Sequence, residues 1–258
     1  MDDSMSILKK DYLPGDLELE LLRAGIIGTV LVQARQSHEE TRWLLEQADK
    51  NPFIKGVVGW LDLRSPDLGQ QLKEFAVHPK LVGVRHVIHD ERDDDFMLRD
   101  DFRQGILDLQ AFNLVYDLLL FPKHLDRAVK LVEEFPDQRF VLDHLGKPLI
   151  KSGKMEPWQS DISRLAECSN VCCKLSGMVT EADLKNWKQE DFVPYMKVVL
   201  SAFGPERIML GSDWPVCRLA GSYSDVISIV IEFVESLDKP ERENILYQNA
   251  IECYQLKI

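Results

Sequence analysis

The chain has 258 residues, 45% hydrophobic and 29% charged, a composition that excludes disordered, collagen-like and coiled-coil proteins. With 31 Lys and Arg against 43 Asp and Glu, its formal charge is −12. That charge repels a phosphate backbone and no basic patch offsets it, so no nucleic-acid partner is expected. No apolar run approaches the length of a membrane span, and no membrane partner is expected either.

From the N-terminus, Met1-Asp2-Asp3-Ser4 lacks the basic and apolar regions of a secretory leader. The five cysteines (Cys168, Cys172, Cys173, Cys217, Cys253) are odd in number and irregular in spacing, which argues against a disulfide framework. A cytoplasmic location is the default expectation. Pro14-Gly15 precedes an amphipathic stretch over 16–24. Seven short apolar runs come next, at 28–33, 56–61, 82–86, 114–120, 140–144, 171–175 and 208–213, four of them ending on a polar residue (Gln33, His86, His144 and Asp213). Between them Ser37-x-x-Glu40 reads as a capping box before Trp43, Leu44, Leu45 and Ala48, and Ser65-Pro66 as a cap before an N1 proline. Further amphipathic stretches cover 100–111, 123–135, 156–167, 190–202, 222–235 and 239–247. The charge run His89-Asp90-Glu91-Arg92-Asp93-Asp94-Asp95 lacks the spacing of a calcium loop and reads as a solvated loop.

Regular alternation of buried strands with crossover helices predicts one α/β domain over 1–258. No glycine-rich fingerprint follows any strand, which favours a TIM-type (β/α) barrel over an open doubly wound sheet. The helix over 16–24 would pack after a strand that the sequence does not contain. The first strand is therefore expected to be missing, leaving seven strands and an incompletely closed barrel. This points to a truncated chain, an isoform or a misassigned start.

In such a barrel the C-terminal strand ends converge on one mouth, so polar residues there are candidates for chemistry. Asp213 closes an apolar strand before Trp214-Pro215; a partly desolvated carboxylate there would have a raised pKa suited to taking a proton from water. A loop-capping aspartate is the plain alternative. His144 could donate to a carbonyl oxygen or ligate a metal, or be a satisfied core histidine, while Asp143 is expected to point the other way. Of Arg85 and His86 only one can face the interior, and an inward Arg85 needs an anionic partner, either substrate or Asp213. Lys174 could hold an oxyanion or pair with a carboxylate. Tyr116, Trp60 and Gln33 read as pocket wall or as plain structure. No Gly-x-Ser-x-Gly elbow is present, so direct attack by water is favoured over a serine nucleophile.

Val32-Gln33-Ala34-Arg35-Gln36, Gly83-Val84-Arg85-His86, Leu142-Asp143-His144-Leu145-Gly146-Lys147-Pro148, Lys174-Leu175-Ser176-Gly177, Gly211-Ser212-Asp213-Trp214-Pro215 and Asn249-Ala250 together resemble the amidohydrolase-related (amidohydrolase 2) family, in its sugar-lactonase branch. The resemblance implies that Asp213 is the general base for the attacking water and that His144 matches the histidine ending strand six of the full barrel. It also implies an opening strand with a His-x-His pair that meets substrate or a divalent metal, and no histidine precedes His38 here. Neither metal nor other cofactor is therefore expected. The expected enzyme is a hydrolase that opens a sugar-type lactone or related small ring. Asp213 and His144 would be catalytic, with Arg85, His86, Lys174, Trp214, Tyr116, Gln33 and Trp60 at the substrate. A decarboxylase or C–C hydrolase of the same superfamily, and a silent barrel binding a partner through its edge strands, are the alternatives. A homo-oligomer is compatible with the sequence.

Overall fold

The computed structural model describes residues 3–258; Met1 and Asp2, half of the stretch read as having no leader, lie outside the described residues. Seven strands form one parallel sheet in the order β1 to β7: β1 (Thr29–Val32), β2 (Ile54–Gly59), β3 (Leu81–Val87), β4 (Val115–Leu119), β5 (Phe140–Leu142), β6 (Val171–Leu175) and β7 (Ile208–Leu210). Each strand pairs with the next in sequence. The result is an incompletely closed TIM-type barrel, as the alternation of strands and helices predicts.

The strands carry two apolar faces. Inward, Val58, Val82, Val115, Val141 and Met209 make a dry lower layer. Outward, a larger core packs against the helices α1 (Pro14–Ala24), α2 (His38–Lys50), α3 (Leu68–Phe75), α4 (Asp100–Gln110), α5 (Leu125–Glu134), α6 (Trp158–Ala166), α7 (Gln189–Phe203) and α8 (Tyr223–Val234). Adjacent Cys172 and Cys173 fall on opposite faces, as strand alternation requires. No helix among the described residues is long and apolar enough to cross a membrane.

Among the described residues β1 and β7 do not pair with each other. Leu17 and Leu21 of α1 pack on Tyr223 and Ile227 of α8, in a cluster that also takes in Phe53 before β2 and Leu210 of β7. The chain end occupies the interior from below: Cys253 and Tyr254 join the inner layer, and Arg139 donates to the Cys253 carbonyl (3.1 Å).

Several local readings change. Ser37 caps α2 by accepting from Glu40 N (3.2 Å), but the Glu40 carboxylate turns to the amides of Ala34 and Arg35 (3.1 and 2.7 Å), so the box is half formed. The helix after β2 begins at Leu68, because Ser65 Oγ accepts from Asp67 N (3.2 Å) in a turn that keeps Pro66 outside it. The last amphipathic stretch divides into α9 (Lys239–Glu243), a π-helical turn at Asn244–Gln248 and α10 (Asn249–Cys253). The acidic run is no free loop: Asp94 pairs with Lys123 (2.5 Å) and Asp95 with Arg127 (2.7 Å), tying it to the start of α5.

Asn249 anchors α10 to the base of β7, its amide donating to the carbonyls of Pro205 and Ile208 (both 2.7 Å) in a buried setting. Asn249→Ala leaves both carbonyls unpaired, at a cost of about 2 kcal/mol and a fall in Tm of roughly 5 °C. Thermal denaturation of the purified variant measures this, and an unchanged Tm would contradict the anchor.

Candidate active site

Above the dry layer the inward positions become charged. Arg85, Asp117, Asp143 and Lys174, from β3, β4, the end of β5 and β6, form a chain of ion pairs. Arg85 meets Asp143 at 2.8 Å, and Lys174 meets Asp143 at 2.7 Å and Asp117 at 2.6 Å. Tyr254 adds its hydroxyl to both Asp117 oxygens (2.9 and 2.8 Å), and Arg85 also donates to the Gln33 carbonyl. Two positive and two negative charges cancel, which is what makes their burial tolerable.

Burial pushes the Asp117 carboxyl up to about 6, helped by the neighbouring Asp143 charge and resisted by Lys174 and the Tyr254 hydroxyl. Burial acts the same way on Asp143, but Lys174, Arg85 and His144 outweigh it and hold that carboxyl well below the usual range. Burial would lower Lys174, and the two aspartates reverse the direction.

His144 and Asp213 stand at the mouth end of this cluster. Both leave the strand conformation: φ is +54° at each, and Leu145 and Lys147 are also left-handed. Such backbone costs on the order of 1–3 kcal/mol per residue and persists only where its surroundings hold it. Here Trp158 donates to the Leu145 carbonyl (2.7 Å), and Cys217 N to the Asp213 carbonyl (2.9 Å). The turn brings His144 Nε2 to 3.6 Å from Asp213 Oδ1, with side chains 10% and 15% exposed. Nδ1 lies 2.8 Å from Ser176 Oγ. Burial lowers the His144 pKa, against the pull of Asp213 and Asp143.

The predicted site residues divide accordingly. Asp213 and His144 share one mouth, and Arg85 and Lys174 lie inward beneath it. The partner of Arg85 is Asp143, however, and Asp213 takes no part in that pair. Asp143 does not point away from His144: β5 ends at Leu142, so strand alternation no longer governs the two side chains. His86 faces the helices, stacked on Phe96 (4.9 Å), bonded to Glu91 (2.7 Å) and receiving the Trp60 indole N–H (3.2 Å). Trp60 is on that outer side too, 5.4 Å from His38. Tyr116 is buried between Phe102 (5.7 Å) and Phe140 (6.3 Å), because its neighbour Asp117 takes the inward position. Gln33 is buried and donates to the Arg85 carbonyl (3.1 Å), bracing that arginine. Trp214 is half-buried beside Asp213, edge-on to Tyr12 at 5.2 Å.

Sequence reading missed Ser176, which alternation from Lys174 puts inward, and Asp117, which it hid by giving the inward position to the adjacent Tyr116. It also left His89 in the solvated run. His89 stacks on Phe121 (4.6 Å), and burial with nearby Lys147 pushes its pKa down to about 4.

Residues 6–256 match the amidohydrolase family. The chain belongs to that family. It is 39% identical to an L-fucono-1,5-lactonase of Burkholderia multivorans over 98% of this chain and 88% of that one. A second L-fucono-1,5-lactonase, from Burkholderia ambifaria, is also 39% identical, over 86% and 76% respectively. An amidohydrolase from Burkholderia multivorans, solved with bound zinc, superposes with a TM-score of 0.96 at 38% identity, covering 99% of this chain and 93% of that one. Family membership makes this chain a hydrolase. Its described residues do not fit a zinc ion: no group of three or more His, Cys, Asp or Glu side chains among them could hold a metal. His144 and Asp213 supply two donors where a catalytic zinc takes three from the protein.

Three buried histidines, His144, His86 and His124, and the half-buried His89 have lowered pKa values, in each case mainly through loss of solvent. In the unfolded chain each takes a proton near pH ~6.5, whereas the folded protein takes it only at lower pH. Stability should thus be full above that pH and fall as the pH drops through the folded values. Asp117, raised to about 6, opposes this with one group. The urea midpoint is expected to decrease between pH 7.5 and 5, and a constant or rising midpoint would refute the assignment.

Proposed function

We propose that the chain is a lactonase that opens a small sugar-type lactone by water attack, with Asp213 as general base and His144 as hydrogen-bond donor to the oxyanion. The observation that carries the reading is the convergence of these two side chains, 3.6 Å apart at the mouth, above a neutralised ionic floor. The L-fucono-1,5-lactonases among its relatives support the substrate class.

In this reaction the Asp213 carboxylate takes a proton from water as the oxygen attacks the lactone carbonyl carbon. The carbonyl oxygen gains negative charge and is met by the Nε2–H of His144. When the tetrahedral intermediate collapses, the ring C–O bond breaks and Asp213 returns its proton to the departing ring oxygen, leaving a hydroxy acid. Arg85 and Lys174 are engaged by Asp143 and Asp117, so their part is to fix the floor of the site and bias its potential. Trp214 would form a wall beside Asp213. This reading gives no substrate contact to His86, Trp60 and Tyr116, which face outward, or to Gln33, which braces Arg85. A decarboxylase or C–C hydrolase that depends on a metal is less well supported, because the described donors do not fit one.

The single barrel domain would act in the cytoplasm on a dissolved small molecule. Its five cysteines are unpaired, which suits a reducing compartment, and its charge of −12 disfavours nucleic acid.

Asp213→Asn keeps shape and reach but cannot accept the proton of water. On any lactone the wild type hydrolyses, the rate should fall by about 10² to 10⁴ with Tm unchanged. Acid release from a panel of aldono-1,4- and 1,5-lactones, followed with a pH indicator, measures it. A variant within about threefold of wild type would rule out Asp213 as the base, since loss of a positioned base costs far more.

A further inference from the structure

His144 is gripped from both sides. Ser176, 2% exposed, follows the end of β6 and sets its Oγ 2.8 Å from Nδ1, while Nε2 lies 3.6 Å from Asp213 Oδ1. The close approach depends on Gly177: its φ is +63°, and a Cβ there would stand 2.6 Å from His144 Cγ. The charged and titratable groups around the ring are Asp213 after β7, Asp143 at the end of β5, Lys147 in the turn that follows, Arg85 on β3 and His89 beyond it.

Burial keeps the ring uncharged near neutral pH, so it carries one N–H and one lone pair. A lone pair at Nε2 would face the carboxylate of Asp213 and be repelled, whereas an N–H there is attracted. The proton therefore belongs on Nε2 and Nδ1 becomes an acceptor in need of a donor. Ser176 O–H is at hydrogen-bond distance from it. We infer that Ser176 is a positioning residue whose hydroxyl donates to His144 Nδ1 and so holds the imidazole in the Nε2–H tautomer, aimed at Asp213 and the reacting carbonyl. Without that donor the ring is free to adopt the Nδ1–H form, which turns a lone pair toward the developing oxyanion and repels it. The tautomer rests on the burial of the ring and on the geometry around it; its effect on rate rests on the lactonase reading above.

Side-chain ¹⁵N spectra of the full chain near neutral pH, with the His144 signals identified by their loss in His144→Asn, test the tautomer directly. The wild type is expected to show a protonated Nε2 and an unprotonated Nδ1, and Ser176→Ala a mixture of tautomers. On a lactone that the wild type turns over, Ser176→Ala should lower kcat about 10-fold or more with KM within about twofold, the pattern of a lost orienting partner. An Nδ1–H ring or an imidazolium in the wild type overturns the proposal, as does a Ser176→Ala protein that keeps the pure Nε2–H form or an unchanged kcat. Should that variant fail to fold, the wild-type spectrum decides. A wild type that hydrolyses no lactone yet shows the Nε2–H ring defeats the activity and supports the serine's role.

Discussion

Asp117 and Asp143 lie in the barrel interior with almost no exposure, and they can do so only because Lys174 sits between them and Arg85 closes the far side. Removing one member of such a cluster strands a charge, at about 3–5 kcal/mol, so the four side chains form a single unit. That unit determines much else. It separates the apolar lower layer from the mouth, holds the carbonyl of Gln33 through Arg85, and gives Tyr254 its hydrogen-bond partner. The chain end is thereby coupled to the floor of the site.

Above that floor the backbone does what regular strands cannot. A strand sends successive side chains to opposite faces, so two neighbouring residues cannot both serve one mouth. Ending β5 at Leu142 and β7 at Leu210, and continuing in left-handed turns, releases His144 and Asp213 from this rule. Asp143 can then join the ionic floor while the next residue reaches the mouth. The strain of those turns is borne by fixed partners, the Trp158 indole and the Cys217 amide.

The seam between β1 and β7 is the other constraint. Half-buried side chains along the whole of β1 contrast with the almost fully buried β2 and β4. Helix α1, packed on α8, joins the two margins of the sheet on its outer side. Tyr254 and Cys253 fill the interior from below. Barrel curvature thus survives with seven strands, because apolar contacts inside and outside the sheet tie its two edges.

The sequence by itself determined the alternation of strands and helices, the number of strands, the open barrel and the family, because buried parallel strands and amphipathic helices impose apolar periods that are read residue by residue. It also singled out Asp213 and His144, since polar residues closing apolar strands are local features of the text. Which way the other polar side chains turn was decided by tertiary structure. Arg85 and His86, or Tyr116 and Asp117, are adjacent pairs of which only one member turns inward, and alternation read along the chain does not say which. The pairing of Lys174 with Asp117, the grip of Ser176 on His144 and the descent of Tyr254 to Asp117 join residues 57, 32 and 137 positions apart. Charge neutralisation and hydrogen bonding over such separations act through space, and only closure of the barrel brings those groups within reach.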